Sequence, residues 1–268
     1  MHDATALRRP TGPVAADFTI DQNWSAYSAE EHARWDALAA RMGQLIPGRA
    51  DDAFLGSVKA LNLDHGGVPD LERLSDLLEP LTGWRIVPVA GLVPDEVFFD
   101  HLAHRRFPAG AFLRRADEFD YIEEPDIFHD VFGHVPLLAN RAYADFMQAY
   151  GAGGARAMEM GALPMLARLY WYTIEFGLIR TETQFALDSD SPNWIEFELE
   201  RVMHTNYRID DFQQTYFVID SFEALLEVTA QDFAPHYAKP DLSHGPEDIL
   251  SSDVVLHRGT QAHANREL

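Results

Sequence analysis

Two histidines five residues apart, His129 and His134, stand in the run Glu124-Pro125-Asp126-Ile127-Phe128-His129-Asp130-Val131-Phe132-Gly133-His134-Val135-Pro136. Imidazole is the commonest metal ligand among side chains. On an ideal helix, residues five apart point about 140° away from each other, so the pair can share one ion only if the helix ends between them. Gly133 predicts that ending through a left-handed conformation, and Pro136 predicts that the helix does not resume. A third ligand is then needed. Glu175 is the lone charge in Leu169-Tyr170-Trp171-Tyr172-Thr173-Ile174-Glu175-Phe176-Gly177-Leu178-Ile179, where a carboxylate is costly unless paired or bound to metal. Two imidazoles and one carboxylate with open positions favour non-haem Fe(II) and dioxygen over a closed zinc site, which is usually rich in Cys. The chain has no Cys.

Competing readings of the same residues are weaker. A buried ion pair from Glu175 to Arg168 or Arg180 lacks the three- or four-residue spacing that helical pairs favour, and a zinc hydrolase lacks the His-Glu-x-x-His spacing. Taken singly, Phe98, Tyr170 and Trp171 read as core, and the Arg114-Arg115 pair as a solvated feature. His101, His104 and His204 have no partner at ligand spacing.

The elements that must carry these residues are mostly helical. Ser28 with Glu31 forms a capping-box signature before Trp35, Leu38, Ala39 and Met42 at helical spacing. Further helices are predicted from Asp51 and Asp52, after Pro69-Asp70, and from Pro94-Asp95-Glu96. Trp84 to Val89 reads as a short strand, and Phe112 to Arg115 and Tyr121-Ile122 as short extended pieces. Asn140 to Tyr150 and Met158 to Ile179 read as helices broken at Gly151 to Gly154; Asn193 to His204 reads as helix, Thr215 to Ile219 as extended and Ser221 to Thr229 as helix. The expected class is mainly α, an α+β chain with few short strands. Residues 1–23 form an expected irregular arm, 24–238 one catalytic domain and 239–268 an irregular tail.

The 268 residues can bury one sizeable core. Against 21 basic residues stand 43 acidic ones, and the formal charge of -22 would repel phosphate backbones and anionic lipid, so neither nucleic acid nor membrane is expected as a partner. No stretch approaches the roughly 20 apolar residues of a membrane span, and Met1 to Ile20 lacks a signal-peptide core, so a cytoplasmic location is expected.

From Trp24 to Tyr237 the chain resembles the tetrahydropterin-dependent aromatic amino acid hydroxylases, in their short bacterial form acting on phenylalanine. The resemblance rests on Pro88-Val89-Ala90-Gly91-Leu92, Arg105-Arg106-Phe107-Pro108, Asp120 to Pro136, Gly161 to Ile179 and Tyr207 to Phe222. It implies that family's catalytic-domain fold and the conversion of L-phenylalanine to L-tyrosine with dioxygen, a tetrahydropterin and Fe(II). His129, His134 and Glu175 are its implied iron ligands. It further implies that Arg114 grips the substrate carboxylate with support from Asp126, and that Pro125, Trp171 and Phe176 line the ring pocket. Around the pterin it places Gly91, Val93 and Asp95 of one loop, Phe98 as a stacking platform, and Ala167 and Tyr170. A monomer is expected, because the regulatory domain and tetramerisation helix of animal relatives have no counterpart in this length. One departure stands out: only Arg180 to Leu187 separate Ile179 from Asp188, where the family carries a longer Gly-Ala-Gly and Ser-Ser type connection. Its shortness raises the alternative of a catalytically impaired or non-catalytic relative that retains metal or amino acid binding.

Overall fold

Residues 12–122, 124–180, 192–208, 213–240 and 242–259 are described in a computed structural model. The chain divides into two compact units, Met1–Gly153 and Gly154–Leu268. The secondary structure is mainly helical with few short strands, as expected from the sequence.

In the first unit, α1 (Ala29–Leu45) begins at Ser28, whose side chain accepts from the Glu31 amide while the Glu31 carboxylate accepts from the Ser28 amide. α2 (Asp52–Ala60) and α3 (Leu71–Thr82) start at the Asp51 and Asp70 caps, and α3 closes at Gly83, where a φ of 79° favours glycine. β1 (Arg85–Val89), α4 (Asp95–Ala103) and β2 (Arg106–Gly110) form a βαβ unit, with Arg85 opposite Arg106 and Val89 opposite Gly110 in a parallel pair. The sequence does not announce β2, since Pro108 argues against a strand interior; in a two-stranded sheet each strand has an edge where a missing N–H costs nothing. The extended pieces expected at 112–115 and 121–122 are not strands.

A π-helical segment, Phe128–His134, leads into a 3-10 turn, Val135–Ala139, and then α5 (Arg141–Glu159). The break expected at Gly151 to Gly154 does not occur. Gly151 instead lets α5 press against α4, because a Cβ there would lie 2.4 Å from the Ala103 amide nitrogen. Trp35 of α1 packs edge-on against Phe128 at 4.9 Å, so the base of the π segment rests on a fully buried indole. Burial of one such ring contributes about 1.5–3 kcal/mol. The supposed arm is tied down in part: Thr19 bridges to Val89, and the Ile20 amide donates to the Pro88 carbonyl.

In the second unit, α6 (Leu163–Tyr170) follows Gly161, where φ is +67°, and continues as a second π segment, Trp171–Glu175, before β3 (Leu178–Ile179). The single helix expected over Met158 to Ile179 is thus three pieces. The stretch expected as helix from Asn193 to His204 is β4 (Asn193–Glu196) followed by α7 (Leu199–Met203). Pairing on both sides overrides the local helical spacing there: β5 (Thr215–Ile219) lies parallel to β4, and β6 (Val255–His257) lies antiparallel on its other side. β3 completes the sheet in the order β3-β5-β4-β6. α8 (Phe222–Thr229) starts at the Ser221 cap, and α9 (Ala234–Tyr237) is one turn. The segment from Lys239 onward, expected to be irregular, holds β6 and is anchored by a buried ion pair, Arg201 to Asp253 at 3.0 Å. No described helix is long and apolar enough to cross a membrane.

Candidate metal centre and aromatic site

The histidine pair is brought to one face by winding, not by ending the helix. Phe128–His134 is π-helical, so its hydrogen bonds join residues five apart and stack such residues on one another, in place of the wide divergence of an α-helix. The two imidazole centroids lie 5.0 Å apart. The expected left-handed closure at Gly133 is absent: φ there is not positive, and a Cβ would meet nothing within 4 Å. Pro136 does not stop the chain either, since it fits the first turn of the 3-10 segment, where no N–H is required.

His129 is oriented by two carboxylates. Its backbone amide donates to Asp126 Oδ1 at 2.9 Å, and its Nδ1 lies 3.0 Å from Asp130 Oδ1, which directs Nε2 away as the ligand atom. Asp130 is itself fixed, accepting through Oδ2 from the Gly110 amide at 2.8 Å. His134 is buried against the Phe107 ring at 5.7 Å.

Glu175 ends the second π segment, in which the Phe176 amide donates to the Trp171 carbonyl at 2.9 Å. Gly177 makes the exit possible: a Cβ there would fall 2.2 Å from the Thr173 carbonyl oxygen. The arginines that could have neutralised Glu175 are engaged with other groups. Arg180 pairs with Asp220 at 2.6 Å and with Glu196, while Arg168 donates to the Met203 carbonyl and to Asn206 Oδ1. His129, His134 and Glu175 each offer one ligand atom, and these atoms all lie within 4.8 Å of one another. Two imidazole nitrogens and one carboxylate oxygen form a donor set that suits Fe(II) and leaves coordination positions open.

Asp126, fully buried, takes Arg114 as a fork: Oδ2 accepts from Nε and Oδ1 from Nη2, both at 2.9 Å, and Oδ2 also accepts the Arg114 amide. The end-on edge of the guanidinium, Nη1 with the outer N–H of Nη2, is the part left for a bidentate anion. Pro125 directly precedes this carboxylate and is half-buried. In the second unit, Trp171 and Phe176 lie with ring centroids 4.7 Å apart at the two ends of the Glu175 turn. Burial raises the pKa of the neighbouring Tyr172 phenol to about 12, and its hydroxyl donates to the Asn206 carbonyl at 2.7 Å.

Of the residues the resemblance assigns to the pterin, Gly91 and Val93 are half-buried in the loop before α4, Asp95 is exposed in the first turn of α4, and Phe98 is half-buried one turn on, 5.9 Å from Phe99. Ala167 and Tyr170, three residues apart, share a face of α6. Sequence reasoning gave Asp130 no role in orienting His129, and gave no part to Tyr207 or Gln213. The Asp beside a candidate ligand histidine was the available signal for Asp130; nothing local marks the other two.

A family model described as biopterin-dependent aromatic amino acid hydroxylase matches residues 8–243. The phenylalanine-4-hydroxylase of Caulobacter vibrioides is 54% identical over 275 residues, covering 95% of this chain and 93% of the relative. That of Chromobacterium violaceum is 51% identical, covering 91% and 89%. Crystal structures of the Chromobacterium enzyme superpose with a TM-score of 0.86 for a cobalt-bound form (50% identity, 91% and 95% covered) and 0.85 for a form with oxidised Fe(III) (51% identity, 90% and 94% covered). The shortened connection after Ile179 falls largely in 181–191, outside the described residues. Identity above one half along 95% of the chain does not favour an impaired relative. With its histidines and glutamate gathered and its sequence matched over nearly its whole length, this chain belongs to the biopterin-dependent aromatic amino acid hydroxylases.

Proposed function

We propose that this chain is a phenylalanine 4-monooxygenase, converting L-phenylalanine to L-tyrosine with dioxygen and a tetrahydropterin. The observation that carries the reading is the convergence of His129, His134 and Glu175 in a chain of this family. These three residues would hold a ferrous ion, which would supply dioxygen chemistry, with a tetrahydropterin as the source of the two electrons that a monooxygenation requires beyond those of the substrate.

The protein's own part is to hold and orient. His129 would hold the metal through Nε2, because Asp130 occupies Nδ1. Arg114, held by Asp126, offers its end-on edge to the substrate carboxylate, a task for a planar guanidinium. Pro125, Trp171 and Phe176 are assigned to the substrate ring, where apolar walls exclude water. Gly91, Val93, Asp95, Phe98, Ala167 and Tyr170 are assigned to the pterin, with Phe98 as the stacking surface. The proposal extends to a cytoplasmic monomer, on the sequence reading alone.

The test is direct. Protein loaded with Fe(II) and given phenylalanine, a tetrahydropterin and air should form tyrosine in proportion to pterin consumed. Metal-loaded protein that binds phenylalanine and yields no tyrosine would overturn the assignment.

A further inference from the structure

The Trp171 indole is held by two residues that neither the family resemblance nor the metal site assigns. Tyr207 stacks on it, with centroids 4.3 Å apart and planes 13° from parallel. Gln213 caps its edge: the indole Nε1–H donates to Gln213 Oε1 at 2.9 Å. The amide is prevented from flipping, because its own Nε2 donates to the Thr215 carbonyl at 2.7 Å, at the start of β5. Tyr207 is equally fixed through its neighbour: Asn206 accepts the Tyr172 hydroxyl on its carbonyl at 2.7 Å and an Arg168 N–H on Oδ1 at 2.6 Å. One face and the polar edge of the indole are therefore set by a frame attached to α6, the π segment and β5. Trp171 opens the turn that ends in Glu175, and in a π turn residues four and five apart rise over one another, so the indole and the ligand carboxylate share a side of that turn.

We propose that Tyr207 and Gln213 are positioning residues that set the orientation of the Trp171 indole and, through it, the affinity for the aromatic side chain of the substrate. This rests on the reading of Trp171 as a wall of the substrate-ring pocket. The interaction is between rings, so the Tyr207 hydroxyl is dispensable and its aromatic plane is not. Stacked pairs are worth a few-fold to about tenfold in an equilibrium constant beyond the area they bury.

The experiment is a double-mutant cycle on phenylalanine binding, followed by titration calorimetry and, in parallel, by KM and kcat, with iron content and melting temperature measured for every variant. Tyr207→Leu should raise the phenylalanine dissociation constant and KM about threefold to tenfold and change kcat by less than about twofold. Tyr207→Phe should stay within about twofold of the parent. In a Trp171→Ala background, Tyr207→Leu should add nothing further. Should Tyr207→Leu fail to fold, Gln213→Leu carries the same cycle, with the same direction expected. A Tyr207→Leu penalty that persists in full without Trp171, or a Tyr207→Phe variant as weak as Tyr207→Leu, overturns the proposal and leaves the functional reading standing. A Trp171→Ala variant with unaltered phenylalanine binding removes Trp171 from the pocket and the proposal with it. Absence of tyrosine formation by the parent strikes the functional reading alone, since the calorimetric cycle judges Tyr207 without turnover.

Discussion

Arg114 and His129 meet on one carboxylate oxygen: Asp126 Oδ1 accepts the Nη2–H of Arg114 and the backbone N–H of His129, each at 2.9 Å. The proposed carboxylate anchor and a proposed iron ligand are thereby held to a common point, and a disturbance at Asp126 reaches both. Asp126 is fully buried and the Arg114 side chain is only 11% exposed. Asp126→Ala should therefore cost about 3–5 kcal/mol of stability, the range for stranding one member of a buried pair, and should raise KM for phenylalanine. Urea unfolding and steady-state rates check this; a variant as stable as the parent contradicts the geometry.

Glu175→Ala and His134→Ala should each abolish stoichiometric iron binding or reduce it strongly, since each removes one of three converging donors. Iron per chain after anaerobic loading and desalting is the measurement. Full occupancy in both variants refutes the ligand set.

Asp130 touches no reactant in the proposed mechanism, yet it bonds to His129 Nδ1 and is anchored by the Gly110 amide. Asp130→Ala should weaken metal binding about 10 to 100 fold, the usual cost of losing such an orienting partner. Competition with a chelator reads the affinity directly, and an unchanged value would mean that the imidazole is held by something else.

Burial raises the Tyr172 and Tyr237 phenols from about 10 to about 12. The folded chain keeps these protons after the unfolded chain has lost them, so their contribution is whole below pH 10 and is lost as pH rises through 12. Stability should fall across that window. Tyr172→Phe should flatten the fall; denaturant titrations at pH 9 and pH 11 compare the slopes, and equal slopes in parent and variant exclude the effect.

Arg201 and Asp253 are nearly inaccessible, with side chains 5% and 2% exposed, and the guanidinium also donates to Thr205 Oγ1 and the Asp248 carbonyl. Asp253→Ala should cost about 3–5 kcal/mol, because the charge left behind stays buried. It should also loosen β6 from β4. Hydrogen exchange over 255–257 with no change in protection would contradict that coupling.

The metal centre was legible because its clues are chemical: a lone charged residue in an apolar run, and two histidines too close together to ignore. The route by which they converge was not. A left-handed glycine and a π turn both bring residues five apart together, and Gly133 argued for the first while the chain takes the second. Caps were equally readable, since Ser28, Asp70 and Ser221 act through neighbours within three residues. Failures occurred where distant partners decide. Gly151 is a packing glycine because of α4, and β4 is a strand because β5 and β6 flank it. Tyr207 and Gln213 likewise reach Trp171 from 36 and 42 positions away, a distance at which no local pattern registers.

Both ligand-bearing turns are wound one residue looser than the helix most sequences adopt, a form uncommon outside functional sites. Were Phe128–His134 to tighten into α geometry, the imidazoles would part by about 140°. Asp126 and Asp130 on one turn and Gly177 on the other therefore guard a shape as well as a site. Efforts to raise heat tolerance by installing strong helix formers across 128–134 or 171–177 would reward the tighter winding, and the hardier protein that resulted would be the one least able to keep its iron.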